Sequence, residues 1–406
     1  MISAFAKRTR LSLALAACCL ALAQPAAAAP RWSPEKANDW YKKTGWLVGC
    51  NYAPRTAINQ LEMWQADTFD PKTIDQELGW AEGLGFNSVR VFLHDLAWKQ
   101  DPQGCGDRME EFLKIADRHK IGVMFVLFDS VWDPHPHVGK QRGPTPHLHN
   151  SGWVQSPGAE VLRDPSRHEE LKGYVQGVLR RFGKDRRVQV WDLWNEPDNT
   201  NGNSYRAWEV ADKANVMLPL LKKVWGWAQE VNPEQPLTSG VWIGEWDTNE
   251  RLKVWERFQI EESDVITYHN YGDPADQQKR IGWLRRLGRP ILCTEYMARP
   301  MGSTFEALLP LLKEQKVGAY NWGFVSGKSQ TIYPWDSWTK RYTAEPPVWF
   351  HDIFRPDGTP YREEEVRFIR QIMGKVRAQG PSRQPATRAA KAPMRSPRRL
   401  PSLSVR

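Results

Sequence analysis

The chain has 406 residues, of which 41% are hydrophobic and 25% charged, a composition typical of a soluble globular protein with an ample core. This length excludes a peptide, a small disulfide scaffold and a single small module. The net charge of +9 is concentrated at the ends, because residues 377–406 hold eight Lys or Arg and no acid, and residues 1–29 hold three more. The body between them carries about −2, so we expect no nucleic-acid partner.

The first 29 residues have the pattern of an export signal. Three basic residues precede an apolar run over 11–23, and a small-residue stretch ends at Ala29. We therefore expect a signal peptide over 1–29 and an exported, periplasmic or secreted protein. An alternative is lipoprotein anchoring, since residues 15–18 fit a lipobox ending at Cys18, but the apolar run continues beyond it through Leu22. No other stretch is long and apolar enough for a transmembrane helix.

Three cysteines remain once the predicted signal is removed, so at most one disulfide can form. Cys50 and Cys293 lie in strand-like apolar runs and are expected to be small core residues. The sequence predicts that Cys105 lies in a Gly-rich loop, where it is either free or paired with Cys50. The tail over 377–406 is basic and rich in Pro, Ser and Ala, and we expect it to be disordered.

Short apolar runs alternate with helix-period stretches through the rest of the chain. The predicted strands are Trp46–Asn51, Asn87–Leu93, Ile121–Phe128, Val188–Trp194, Leu237–Trp242, Val265–His269, Ile291–Thr294 and Ala319–Trp322. The predicted helices are Pro71–Gly83, Arg108–His119, Arg167–Phe182, Ala211–Val231, a short one near Glu250–Phe258, Pro274–Leu287, Thr304–Gln315 and Tyr361–Val376.

Eight strands each followed by a helix predict an α/β fold, a single (β/α)8 TIM barrel over residues 30–376. A doubly wound sheet is the main alternative, but no glycine-rich phosphate turn follows the first strand. Long βα loops follow strand three (129–166) and strand eight (323–360), at the face where barrel active sites lie, so we expect them to shape a binding site.

Two acids end predicted strands on opposite sides of this barrel. Glu196 follows strand four in Trp-Asn-Glu-Pro, where Pro197 stops the strand, and Glu295 ends strand seven. Paired carboxylates about 5 to 5.5 Å apart are what a retaining glycosidase needs, one as nucleophile and one as proton donor. Two such strand-end acids predict this chemistry more specifically than either does alone.

The Asn-Glu-Pro of strand four together with the strand-seven Glu resembles the clan of (β/α)8 glycoside hydrolases that contains family 5, the cellulase-like enzymes. The resemblance extends from about Trp46 to Val376. It implies that Glu196 is the general acid/base and Glu295 the nucleophile. One position departs from the pattern, because strand three ends in Phe-Asp129-Ser where such enzymes often have a His.

Other residues suit the same chemistry. Arg90 is a charge inside an apolar strand, for which a nucleophilic carboxylate is a natural partner; a packing ion pair with a helix acid is the alternative. His269 and Tyr271 are two residues apart and share a strand face, so the Tyr hydroxyl can donate to Glu295 and the imidazole can assist Glu196. All three positions match the family pattern.

The resemblance further implies that Trp322, at the end of strand eight, is the sugar platform and that Asn195 hydrogen-bonds the sugar 2-hydroxyl. Indole suits the flat C–H faces of sugars. About half of the other loop tryptophans are expected to line a cleft and half to be packing residues: Trp64, Trp98, Trp132, Trp153, Trp242, Trp246, Trp335 and Trp338.

The sequence therefore predicts a monomeric retaining β-glycoside hydrolase, a glycosidase hydrolysing the O-glycosidic bonds of a β-linked oligosaccharide or polysaccharide, with no cofactor and no metal. Four histidines within 135–149 are a possible metal-binding pattern, but imidazoles also form hydrogen bonds with sugar hydroxyls. Two alternatives stay open, a non-catalytic carbohydrate-binding barrel and a glycan-remodelling transglycosylase. The sugar, the linkage and the endo or exo mode are not determined.

Overall fold

The computed structural model describes residues 30–375. The predicted signal peptide, the alternative anchor at Cys18 and the predicted tail lie outside these residues. Within them the prediction of a (β/α)8 barrel is confirmed. The eight strands are β1 Val48–Asn51, β2 Ser88–Phe92, β3 Gly122–Asp129, β4 Val188–Asn195, β5 Leu237–Thr238, β6 Ile266–His269, β7 Ile291–Tyr296 and β8 Gly318–Asn321.

The strands are parallel and follow the order β5-β4-β3-β2-β1-β8-β7-β6. The barrel closes between β5 and β6 through a single bridge that pairs Val241 with Tyr268. β5 is shorter than predicted because its ladder with β4 ends at Thr238. Gly240 then passes so close to β6 that an added Cβ would lie 2.9 Å from Oγ1 of Thr267. A residue without a side chain therefore lets β5 and β6 come together and close the barrel.

Twelve α-helices surround or cap the barrel within the described residues. They are α1 Pro34–Thr44, α2 Gln60–Trp64, α3 Pro71–Leu84, α4 Asp95–Gln100, α5 Pro102–Arg118, α6 Ala159–Leu162, α7 Lys172–Phe182, α8 Lys213–Val231, α9 Val254–Glu262, α10 Pro274–Arg285, α11 Phe305–Glu314 and α12 Glu363–Ile372. Three of them begin with an Asp-Pro pair, in which the carboxylate caps the first turn and proline fills a position that needs no N–H: α3, α5 and α10. None of the helices in residues 30–375 is both long and apolar enough to cross a membrane.

Four of these helices are absent from the sequence prediction. α1 matters for the fold, because its Trp40 and Tyr41 pack against the apolar layer at the amino-terminal end of the barrel. That layer consists of one side chain from or beside each of six strands: Leu47, Met124, Val190, Val265, Leu292 and Tyr320. The opposite, carboxyl end is thereby left as the open end, where a site can form.

The three cysteines within residues 30–375 are buried and free. Cys50 and Cys293 lie in β1 and β7, as expected of small core residues. The placement of Cys105 in a Gly-rich loop is wrong, because Asp101 and Pro102 start α5 ahead of it and the glycines on either side lie within that helix. The predicted helix over 167–182 is a 3-10 turn, Pro165–Leu171, followed by α7.

The two long loops predicted after β3 and β8 are present. We call residues 130–158 the β3 loop and residues 322–362 the β8 loop. They are hydrogen-bonded to each other. The backbone N–H of Asn150 donates to the Ser329 carbonyl at 2.9 Å, and the Trp338 indole donates to the His149 carbonyl at 2.9 Å. The predicted histidine-rich segment serves this junction, since Nδ1 of His147 lies 2.6 Å from the Tyr333 hydroxyl.

Candidate active site

Glu196 is the first residue after β4, at the carboxyl end of the barrel. Its backbone is left-handed, with φ of +41°, a conformation that costs a residue with a Cβ roughly 1–2 kcal/mol. The residue is nevertheless buried, with 7% exposure.

Glu295 lies in β7 and is also buried. One oxygen from each of Glu196 and Glu295 and one ring nitrogen of His269 lie within 4.8 Å of one another. The nearest oxygens of the two acids are thus no more than 4.8 Å apart, which is compatible with the roughly 5 to 5.5 Å of a retaining carboxylate pair. The two acids predicted from strand ends are thus brought together.

Two side chains contact the Glu196 carboxyl group. Nδ1 of His269 lies 2.7 Å from Oε1, and Nδ2 of Asn199 donates to Oε2 at 2.6 Å. Burial raises the pKa of Glu196 to about 7, although the Asn199 hydrogen bond acts in the opposite direction. Glu196 therefore keeps its proton up to near neutral pH.

Glu295 is held by two donors. Nη1 of Arg90 donates to Oε1 at 3.1 Å, and the Tyr271 hydroxyl donates to Oε2 at 2.8 Å. Burial raises the pKa of Glu295, and the positive charge of Arg90 and the Tyr271 hydrogen bond both oppose that rise. Both oxygens of Glu295 thus accept from donors, which is the environment of an ionised carboxylate.

Arg90 is fully buried, and Glu295 is only one of its partners. Its closest ion pair is with Asp192 of β4, through Nη2 at 2.7 Å and Nε at 3.1 Å. Its remaining donors reach the side-chain oxygens of Asn51 and Asn195, each at 2.7 Å. The guanidinium thus ties β1, β2, β4 and β7 together beneath the site, and the acid partner comes from a strand rather than from a helix.

Asn195 is held on both ends of its amide. Its oxygen accepts from Arg90, and its Nδ2 donates to Oδ1 of Asp129 at 2.9 Å. Asp129 also accepts from the Trp153 indole at 2.6 Å, and burial raises its pKa to about 6. Asp129, which stands where the resemblance would place a His, therefore orients Asn195. Asn195 borders the cleft, and one hydrogen of its side-chain amide is still free to donate.

His269 lies between the two acids, with Nδ1 3.6 Å from Oε2 of Glu295 as well as 2.7 Å from Glu196. Burial lowers the pKa of His269 to about 4, so the ring is neutral at neutral pH. Its Nε2 is buried without a hydrogen-bond partner. A neutral ring cannot act as a second fixed positive charge, and its role toward Glu196 is to give or accept one hydrogen bond.

A cleft of about 450 Å³ opens above these residues. Trp322 forms part of its wall and packs edge-on against Phe92 and Trp153. Of the eight other loop tryptophans, four line the cleft: Trp132, Trp242, Trp335 and Trp338. The other four are buried or packed against the core: Trp64, Trp98, Trp153 and Trp246. The even division between cleft and packing residues agrees with the sequence prediction.

Within residues 30–375 the only cluster of three or more metal-ligating side chains is the Glu196, His269 and Glu295 group. An imidazole and two carboxylates are ligand types that Zn²⁺ accepts. Arg90 and Tyr271 already occupy both oxygens of Glu295, however, and a guanidinium at 3.1 Å adds positive charge where a cation would bind. The histidines of the β3 loop do not form such a cluster.

Sequence reasoning did not find four residues that shape the site: Asp192, Asn199, Lys213 and Asn150. Lys213 is buried, and its Nζ bonds Glu209 and the Ser130 carbonyl, both at 2.9 Å, which fixes residues 196–212, the β4 loop, against the β3 loop. Asp192 lies two residues after Val190, which belongs to the apolar layer inside the barrel, and this alternation was a signal that could have identified it.

No protein-family model matches the chain, and no curated protein matches it. Solved structures do. An exo-β-1,4-mannosidase from Opitutaceae bacterium strain TAV5 is similar with a TM-score of 0.55 and 20% identity, over 82% of this chain and 59% of that one. The chain thus spans less than two thirds of that protein's length.

Two further structures have the same architecture. An endo-β-1,4-mannanase from Thermotoga petrophila matches with a TM-score of 0.52 and 14% identity, over 82% of this chain and 77% of that one. GH5_18 from Streptomyces cattleya, solved in complex with Manb1-4GlcNAc, matches with a TM-score of 0.52 and 13% identity, over 84% and 83%. The fold and the site together define a (β/α)8 barrel with a carboxylate pair at its carboxyl end, and these neighbours share that fold.

Proposed function

We propose that the protein is a retaining β-glycoside hydrolase in which Glu295 is the nucleophile and Glu196 is first the acid and then the base. The observation that carries the proposal is the close approach of the two buried carboxyl groups around His269, within 4.8 Å. A structural ion-pair network would not leave two acids side by side with a tryptophan-lined cleft above them.

The environments of the two acids support these roles. Glu196, with a pKa of about 7, carries the proton that a leaving oxygen needs, whereas the hydrogen bonds from Arg90 and Tyr271 favour the ionised form of Glu295. A protonated acid beside a carboxylate is what the first half of the reaction requires.

In the first step Glu295 attacks the anomeric carbon, the bond from that carbon to the glycosidic oxygen breaks, and the Glu196 proton passes to that oxygen. In the second step Glu196, now ionised, takes a proton from water, and the resulting hydroxide displaces Glu295 from the anomeric carbon. Each step inverts the anomeric centre, so the product keeps the β configuration.

We propose that the substrate is a β-mannoside. The support is the named activity of solved structures with this fold, a β-1,4-mannosidase and a β-1,4-mannanase. The tryptophan side chains of the cleft fit a sugar substrate, because indole packs well against C–H faces. A panel of β-mannans, β-glucans, xylans and aryl glycosides tests this choice directly.

The decisive experiment follows the anomeric configuration of the first product by proton NMR. We expect the β-anomer before mutarotation, and we expect Glu295→Gln to abolish turnover while leaving the fold intact by circular dichroism. Initial release of the α-anomer, or full activity of Glu295→Gln, would exclude the proposed mechanism. Binding of the glycans without hydrolysis would instead favour the non-catalytic carbohydrate-binding barrel.

A transglycosylase is a second candidate. Ile243 and Met301 at the rim of the cleft are 49% and 48% exposed, and an apolar acceptor side favours a sugar over water in the second step. Product analysis at high substrate concentration separates the two activities. Oligosaccharides longer than the substrate would identify transfer, and only shorter products would identify hydrolysis.

We further propose that the chain acts outside the cytoplasm as a monomer. The support is the sequence pattern of residues 1–29 and the self-contained site within residues 30–375. Fractionation of cells that produce the full chain, mass spectrometry of the mature N-terminus and light scattering of the purified protein test these points.

A further inference from the structure

The cleft above the carboxylates is closed at one end. Its lining residues come from the segments that follow β3, β4, β5, β6, β7 and β8, and none comes from the segments that follow β1 or β2. A groove that crossed the whole carboxyl face of the barrel would pass over both sides. The sector above β1 and β2 is therefore covered.

The cover is the distal part of the β3 loop. Nδ2 of Asn59 donates to the Gly152 carbonyl at 2.9 Å, and Nε2 of Gln60 donates to the Val154 carbonyl at 3.0 Å. These bonds fix the loop over the β1 side, and the bond from Asn150 to Ser329 fixes it to the β8 loop. Two buried side-chain bonds and this backbone bond make this end a wall rather than a flexible lid.

The wall begins at the sugar platform. Trp153 packs against Trp322 with 5.9 Å between ring centroids, and the cavity behind Trp322 measures only about 30 Å³. Such a volume holds one or two water molecules. A sugar ring over Trp322 therefore has no room for a second ring beyond it.

Asn150 stands at this closed end and borders both cavities. The residue is 1% exposed, and neither its side-chain oxygen nor its side-chain nitrogen has a hydrogen-bond partner. A buried polar group that makes no hydrogen bond is destabilising, and a ligand that bonds both side-chain atoms would remove that cost. Sugar hydroxyls both donate and accept, and two neighbouring hydroxyls match the amide oxygen and NH₂ group.

The opposite end of the cleft is where the leaving group of the substrate binds. Asn199, which contacts Glu196, and Trp242 line the cleft there, on the loops after β4 and β5, across the barrel from β1. The acid must face the oxygen that departs, so the group that leaves extends toward these loops. The sugar attacked by Glu295 then lies at the closed end, between Trp322 and Asn150.

From this geometry we infer that the enzyme removes single sugars from the non-reducing end of its substrate, and that Asn150 binds the hydroxyls of that terminal sugar. The inference rests on the proposed function and adds to it the mode of attack and a specificity-determining residue.

The first experiment uses β-1,4-mannotetraose labelled at its reducing end. We expect the monosaccharide to appear without label and the label to pass stepwise to trisaccharide and disaccharide. An aryl β-mannoside with a single sugar should also be hydrolysed. Labelled disaccharide or labelled monosaccharide as a first product, before labelled trisaccharide appears, would overturn the inference while leaving the hydrolase in place. No hydrolysis of any β-glycan in the panel would instead count against the proposed function.

The second experiment tests Asn150 itself. Its φ is +48°, so Asn150→Gly removes the amide without straining the backbone. We expect kcat/KM on mannotetraose and on the aryl mannoside to fall tenfold or more, with an unchanged melting temperature. The matched control is Asn232→Gly, at a left-handed position of φ +54° that is exposed at the end of α8. Equal kcat/KM for Asn150→Gly and the wild type would refute the assignment of Asn150.

Discussion

Asn199 donates a hydrogen bond of 2.6 Å to Oε2 of Glu196, and this contact stabilises the ionised form of the acid. Burial acts more strongly in the opposite direction and keeps the pKa at about 7. Because Glu196 must be protonated to release the leaving group, kcat/KM of the wild type should fall as pH rises through about 7.

The Asn199→Ala variant should shift this alkaline limb to higher pH. Loss of a donor to the carboxylate raises the pKa of Glu196, so the proton is retained further into the alkaline range. The measurement is kcat/KM against pH on an aryl glycoside. Asn215→Ala is the control, because Asn215 donates at 2.9 Å to the exposed Asp212 and should leave the profile unchanged. A limb that stays in place in Asn199→Ala would mean that another group controls it.

Glu196→Gln should discriminate between leaving groups. Substrates with a poor leaving group need the proton and should lose about 10²- to 10⁴-fold in kcat, the usual contribution of a general acid. Aryl glycosides with strongly acidic phenols need no proton and should form the glycosyl-enzyme at a nearly unchanged rate. Burst kinetics with a dinitrophenyl glycoside measure that step, and equal losses on both substrate types would contradict the acid role.

Arg90→Met should destabilise the fold severely. The substitution leaves Asp192 buried and unpaired, with both side chains at 0% exposure, which typically costs about 3–5 kcal/mol. Chemical denaturation followed by tryptophan fluorescence gives the free energy of unfolding. Arg118→Met is the control, because Arg118 and Asp75 form an exposed pair worth about 0–1 kcal/mol. Similar losses in the two variants would show that Arg90 has no special role in the core.

Trp322→Ala should weaken the sugar platform. Loss of the indole removes the apolar face beneath the sugar, and we expect kcat/KM to fall about tenfold, which corresponds to about 1.4 kcal/mol. Trp208→Ala is the matched control, since Trp208 is 57% exposed on the β4 loop. Titration of an inhibitory oligosaccharide by fluorescence separates binding from turnover. An unchanged affinity of Trp322→Ala for the oligosaccharide would show that Trp322 is not the sugar platform.

Metal ions should not be needed for activity. Dialysis against a chelator should leave kcat unchanged, because the proposed steps use only carboxyl groups and water. Both oxygens of Glu295 already accept from Arg90 and Tyr271, so added Zn²⁺ should not raise kcat. Loss of activity on chelation, restored by Zn²⁺, would make the protein a metalloenzyme.

The barrel could be predicted because parallel strands covered on both faces must be continuous apolar runs, which the sequence displays eight times. The acids could be predicted because β4 and β7 end at them, and a strand end in a barrel fixes a position in space. Helix α1 was missed because its polar sequence carries only a few apolar side chains, and those cover the barrel end rather than a strand face.

Asn150 and Asn199 could not be predicted, because their positions depend on how long loops fold against one another. Asn199 is three residues beyond Glu196, but the left-handed turn at Glu196 is what brings its amide back to the carboxylate. Asn150 reaches the cleft only through bonds to residues distant along the chain, such as Ser329. The local sequence pattern around Asn150 or Asn199 contains no information on these loop contacts.

That backbone bond between Asn150 and Ser329 joins segments about 180 residues apart. Contacts of such sequence separation form late in folding, because the entropy of closing the chain must be overcome first. The position of Asn150 at the closed end of the cleft is therefore among the last features of the site to form.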